Sequence, residues 1–200
     1  MGLFDALLGR TKAVQADLGH LFALSGAAIN LEATEGLVPT LRAGICYKAV
    51  DAQSFAAAHT EITGLLSVPD DSGATASADN TTLKETTDSY GYSWMVLESS
   101  EFDALVTRTH FVNSTLDEHG FGTQLLCSVF GFRPASSPTT DSASSYLVYL
   151  FKQGTFYPFV PQPGEHRNNE LELRLKYELE KELPIEPQLD RWFPMWDLPL

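Results

Sequence analysis

The sequence predicts a single α+β domain: a mainly antiparallel sheet of about five to six strands, with three to four helices packed largely on one face. Three observations carry this expectation. Apolar residues make up 44% of the 200 residues and aromatic residues 11%, enough to fill one core. Periodicity along the chain runs helix, strands, helix, strand, helix, strands, helix, an order that favours antiparallel pairing with helices to one side. Residues 145–160 form the clearest hairpin, two apolar runs joined by the tight turn Lys152-Gln153-Gly154.

The elements follow in order. Residues 1–12 form an amphipathic N-terminal segment in which Leu3, Phe4, Leu7 and Leu8 share one helical face ahead of Arg10 and Lys12. Residues 13–200 then form the domain. Asp17 is expected to cap a short helix from Leu18 to about Leu24, with Leu18, Leu21 and Phe22 inward and Ser25-Gly26 as its stop. Ala28–Ala33 alternates roughly with period two and reads as a strand. After a loop at Gly36 and Pro39, Gly44–Val50 reads as a second strand. Asp51 then caps a helix whose inner face is Phe55, Ala58, Ile62, Leu65 and Leu66.

Residues 69–86 contain almost no large apolar groups, so they cannot offset their own ordering entropy and are expected to be a disordered inserted loop. Ser89–Glu98 reads as an aromatic-rich central strand. Ser100 with Asp103 gives a capping-box-like start to a helix with Phe102, Leu105, Val106, Thr109, Val112 and Leu116 on one face and Gly120 at its end. Gln124–Phe132 and Ser145–Phe151 are strands separated by a polar hairpin loop over 133–144, and Thr155–Val160 completes the hairpin. Asn168 or Asn169 caps a charged helix to about Leu183, striped by Leu171, Leu175 and Leu179. The tail over 184–200 carries Trp192, Phe193 and Trp196, whose bulk predicts docking on the domain.

Charge narrows the function classes. Thirteen basic residues against 26 acidic ones give −13, which argues against duplex DNA, where Lys and Arg must replace phosphate counterions. No apolar run is long enough to span a bilayer, and the start lacks the basic-then-apolar layout of a secretory leader. A cytosolic protein is therefore expected, and Asn80-Thr-Thr and Asn113-Ser-Thr are expected to be accidental sequons.

The search for chemistry returns little. Cys46 and Cys127 lie in apolar runs and read first as small buried hydrophobes, with a disulfide as the lesser alternative. A nucleophile built on Cys127 is disfavoured because burial raises a thiol's pKa. His110 and His119 are about two and a half helical turns apart and would face opposite ways. No paired-cysteine, zinc-helix or glycine-rich phosphate motif is present, so neither catalytic nor metal residues are expected, and no cofactor. Two surfaces remain. The segment Lys152–Arg167 sets Lys152, His166 and Arg167 beside Phe156, Tyr157 and Phe159, dense enough in unusual residues for a binding surface. The N-terminal face with Arg10 and Lys12 suits either the surface of an anionic bilayer or an ordinary core helix. Each large side chain buried contributes about 1.5–3 kcal/mol and each ordered residue costs about 1–2 kcal/mol, so membrane contact there would be weak and reversible.

Several strings carry a family resemblance: MGLFDALLGRTKAV, SYGYSWMVLES, VNSTLDEHGFGTQLLCSVFGF, YLVYLFKQGTFYPFVPQPGEHRNNELELRL and LPIEPQLDRWFP. Together, over nearly the whole chain but sparing 69–86 and 133–144, the sequence resembles the PspA-associated PspAB family of actinobacteria and archaea. The resemblance implies a non-enzymatic accessory or regulator of a PspA-type phage-shock envelope stress response, binding protein at the cytosolic face of the membrane. The implied partners are a PspA-type protein and an HtpX-type membrane protease. The family supplies no catalytic residue to carry over. A peptide-binding chaperone-like module and a Cys127-dependent enzyme stand as the rival readings.

Overall fold

A computed structural model describes residues 17–48, 52–66, 81–137 and 143–200. The N-terminal quartet, Arg10, Lys12, the cap at Asp51, residues 69–80 of the expected loop and residues 138–142 of the hairpin loop lie outside the described residues. Among these, the chain builds α1 (Leu24–Glu35), β1 (Leu37–Tyr47), α2 (Ala52–Leu66), β2 (Thr82–Thr87), β3 (Ser93–Glu98) and α3 (Phe102–Leu116). It continues with β4 (Leu125–Pro134), β5 (Ser145–Leu150), β6 (Thr155–Phe159), the two-residue strands β7 (Pro161–Gln162) and β8 (His166–Arg167), and α4 (Asn169–Leu179). The main sheet has the order β2-β3-β1-β4-β5-β6, with every pair antiparallel; β7 and β8 form a small second sheet. The expected α+β class, a mainly antiparallel sheet of about five to six strands with three to four helices, is what forms: among the described residues the main sheet has six strands and there are four α-helices.

Side chains on successive strand residues point to opposite faces, and the sheet separates two cores accordingly. Ala43, Ile45, Met95, Leu97, Phe130, Phe132, Leu147, Tyr149 and Phe156 face the helices. Cys46, Trp94, Cys127, Val129, Tyr146, Val148, Tyr157 and Phe159 face the other way and pack against Trp192 and the C-terminal tail.

Four local expectations are corrected. Ala28–Ala33 is not a strand but the middle of α1, and Ser25-Gly26 does not stop the helix: Leu24, Ala27, Ala28 and Leu31 are buried at helical spacing while Ile29 is 72% exposed. Gly36 is no loop residue; it ends α1 in the left-handed conformation (φ 63°), its N–H bonding back to Glu32 and Leu31. Pro39 lies inside β1, at an irregularity where the register to β4 shifts between Pro39 and Ala43, a place where a missing N–H is tolerated. Residues 82–86, expected to be disordered, belong to strand β2 (Thr82–Thr87). Its ladder to β3 holds it, and only Leu83 among its side chains packs against the core.

Smaller corrections concern boundaries and caps. Leu18–Ala23 is a 3-10 turn with no capping hydrogen bond from the Asp17 side chain, which instead lies 3.3 Å from His20 Nε2, and Phe22 is turned outward onto the His110 ring, 4.7 Å between centroids. The Ser89–Glu98 strand starts only at Ser93 and is second from the edge, because Asp88–Tyr92 forms a turn. The N-cap position of α3 is Glu101, not Ser100, and no side chain makes a capping bond there; α4 ends at Leu179, short of Leu183. Leu65 is 42% exposed, outside the buried face of α2.

At the outer side of β6 the chain returns alongside, Phe156 N donating to Pro184 O and Glu186 N to Phe156 O, both at 2.8 Å. No described helix is long and apolar enough to cross a membrane.

Candidate functional site

A cavity of about 560 Å³ opens on the sheet face turned away from the helices. That size lies within the roughly 300–1,000 Å³ of cavities that enclose small ligands or inserted side chains. Cys46 of β1, Trp94 of β3 and Cys127 of β4 form its floor, joined by Tyr157 of β6. Their shared orientation follows from antiparallel register: Cys46 lies opposite both Trp94 and Cys127, so all three project to one side.

The Asp88–Tyr92 turn makes one wall. Asp88 Oδ1 accepts from the N–H groups of Tyr90 and Tyr92, and Oδ2 accepts from Trp94 Nε1, all at 2.9 Å. One carboxylate thus sets the turn and the indole plane together, leaving Tyr90 and Tyr92 59% and 41% exposed at the rim. The β5–β6 turn supplies Lys152 and Gln153 at the mouth, and the tail supplies Phe193, Met195 and Trp196.

The tail is held by specific contacts. Trp192 stacks on Tyr157 at 6.0 Å and donates its indole N–H to Glu186 O at 3.0 Å. Tyr157 OH donates to Phe193 O at 2.8 Å. Trp196 meets Phe159 edge-on at 5.2 Å, and Ser89 Oγ donates to Asp197 at 3.1 Å, linking tail to turn. Arg167 donates from Nη1 to Trp192 O and from Nε to both oxygens of the buried Glu172 (2.9 and 3.1 Å), with its guanidinium 5.3 Å over the Phe159 ring. Glu172 also accepts from Val160 N at 2.8 Å.

The sequence-predicted hairpin residues therefore divide among different places. Lys152 and Tyr157 reach the cavity. Phe159 lies beneath Trp196, on the same face as the cavity. Phe156 points to the helix side, its ring tilted against Tyr149 at 5.0 Å between centroids. His166 is exposed on β8, and Arg167 is the internal tie between α4 and the tail. Sequence reasoning missed Cys46, Asp88, Tyr90, Tyr92, Trp94, Cys127 and Met195 as cavity residues. Strand parity would have placed Cys46 and Trp94 on one face once β1 and β3 were aligned; the alignment itself was not readable.

Chemically the site is an aromatic pocket with thiols at its base. Burial pushes the Tyr157 hydroxyl well up from its ordinary range. The Cys127 thiol is also pushed up, first by its hydrogen bond to Cys46 and then by burial. Such a site suits the capture of an apolar or aromatic group. Among the described residues no group of three or more His, Cys, Asp or Glu side chains is placed to hold a metal ion.

The family model for PspA associated protein B, PspAB, matches residues 1–200. No curated protein and no solved structure matches the chain.

Proposed function

The chain belongs to the PspA associated protein B family, and from that premise we propose that it is a non-enzymatic accessory protein of a PspA-type membrane stress response. It works by binding protein at the cytosolic face of the membrane, with a PspA-type protein as its first partner and an HtpX-type membrane protease as a second. The observation that supports a binding role is the aromatic cavity under the tail, rimmed by exposed Tyr90 and Tyr92 and by the Lys152 ammonium. Partly exposed tyrosines around a preformed apolar pocket are the residues from which interfaces draw their strongest contacts. The N-terminal Leu3, Phe4, Leu7 and Leu8 face would add weak contact with the bilayer or the partner.

The test is co-purification of the tagged full chain from gently lysed, membrane-stressed cells. A PspA-type protein should be recovered, and a Tyr90→Ala/Tyr92→Ala variant should recover much less while melting at the wild-type temperature. Removal of residues 1–10 should reduce recovery without unfolding the domain. Equal recovery by all variants would remove the cavity from the account. Recovery of many unrelated unfolded chains would replace it with the peptide-binding chaperone reading. A Cys127→Ala variant that loses cellular function although folded, and still binds its partners, would revive the enzyme.

A further inference from the structure

The chain has two cysteines, and the fold makes them partners. Cys46 in β1 and Cys127 in β4 stand directly opposite one another in the central ladder of the sheet, both free and both on the cavity floor. The Cys46 side chain is near enough to push the Cys127 thiol pKa up, and the register places both side chains on the same face of the sheet. Directly opposed residues of an antiparallel pair have Cα atoms about 4.5 or 5.5 Å apart. Both values fall inside the roughly 4.4–6.8 Å that a disulfide spans, so closure needs side-chain rotation with little backbone movement. The two residues are 3% and 5% exposed, and what they expose is the cavity. The cavity, about 560 Å³ and open at the rim, gives a small molecule a route to both thiols.

We propose that Cys46 and Cys127 form a redox-active dithiol, an oxidation site that small peroxides reach through the cavity and that closes into a cross-strand disulfide. Cys46 is the attacking sulfur, because burial and the hydrogen bond keep the proton on Cys127. The Cys46 thiolate attacks hydrogen peroxide: an S–O bond forms, the O–O bond breaks, and the departing hydroxide takes up the thiol's proton to leave as water. Cys46 is now a sulfenic acid. Cys127 releases its proton as its sulfur attacks the Cys46 sulfur; the S–S bond forms, the S–O bond breaks, and hydroxide leaves with that proton as a second water. Two thiols and one peroxide give one disulfide and two waters, the sulfurs supplying the two electrons that reduce the peroxide. The product links β1 to β4 beneath the tail and removes both thiols from the cavity floor. This inference stands apart from the PspA reading and needs no partner protein.

The experiment uses the full chain, reduced, freed of reductant and treated with hydrogen peroxide, then digested without reduction. A linked Cys46–Cys127 peptide in a monomeric, folded protein is expected. Cys127→Ala should stop at the Cys46 sulfenic acid and be labelled by a 1,3-dione reagent, whereas Cys46→Ala should leave Cys127 unlabelled. Thiols that stay free in the native protein and react only in denaturant would overturn the proposal and leave the pair as packing. Disulfide-linked dimers in place of the internal link would overturn it equally. Because the wild-type digest alone separates these results, the conclusion does not depend on either variant folding.

Discussion

At the residue scale, the Arg167–Glu172 pair shows how a side chain that resembles a surface cation becomes an internal tie. Glu172 is 2% exposed and its carboxylate accepts from both Val160 N and Arg167. Removing one partner of a buried pair leaves a charge with no compensation, a loss of about 3–5 kcal/mol. Arg167→Ala should therefore lower stability in urea unfolding by that order. Arg167→Met/Glu172→Gln, which buries no charge and keeps an acceptor for Val160, should lose clearly less than the single change. The tyrosines set an alkaline limit. Burial, with the Glu85 charge next, holds the Tyr47 hydroxyl up to about 12, and Tyr146, Tyr149 and Tyr157 are also raised by burial. A pKa raised in the folded state gives stability that is complete below the unfolded value near 10 and is lost as pH rises through the folded one. Unfolding free energy measured against pH should thus stay level with respect to these groups until about pH 10 and then fall. Tyr47→Phe should make that fall shallower. A curve flat to pH 12 would contradict the assignment.

At the scale of elements, what was readable depended on how far each signal was local. The α3 face, the β5–β6 hairpin and the Asn168 cap needed only neighbours within a turn or two, and each stands as expected. Asn168 Oδ1 accepts from Leu171 N at 3.1 Å, so Asn168→Ala should cost about 0.5–2 kcal/mol in chemical unfolding. Local signals misled at α1. Ile29 drew the eye to a period of two, but it faces solvent, and the small residues Ala27 and Ala28 carry the packing. β2 was missed for a different reason: its order comes from backbone bonds to β3, which apolar content does not report. The cavity was the least legible feature, since its floor joins positions 46, 94, 127 and 157 through register alone.

At the scale of the molecule, the sheet has two different coverings. Among the described residues four α-helices shield one face, while the other is closed by a tail whose single helical turn is the 3-10 segment Leu189–Arg191, pinned through Trp192, Phe193 and Trp196. Truncation before Asp190 should expose Val129, Val148, Tyr157 and Phe159 together. Burial of each such side chain contributes about 1.5–3 kcal/mol, so the truncated protein should melt far below the full chain and bind an apolar dye strongly. A truncated chain with an unchanged melting temperature would mean that the tail only rests on the sheet.

The strap over 184–186 has one more effect. An unpaired strand edge is a template on which another chain can add its own strand. On the β6 side that template is already occupied in part by Pro184 and Glu186. On the β2 side the exposed positions are threonines, Lys84 and Glu85, whose solvated charges oppose stacking of identical strands. Among the described residues neither margin of the sheet invites fibril growth while the strap is seated. Association into filaments would have to begin with its release, so the onset of aggregation should follow the loss of the Phe156 backbone bonds, not the loss of the helices.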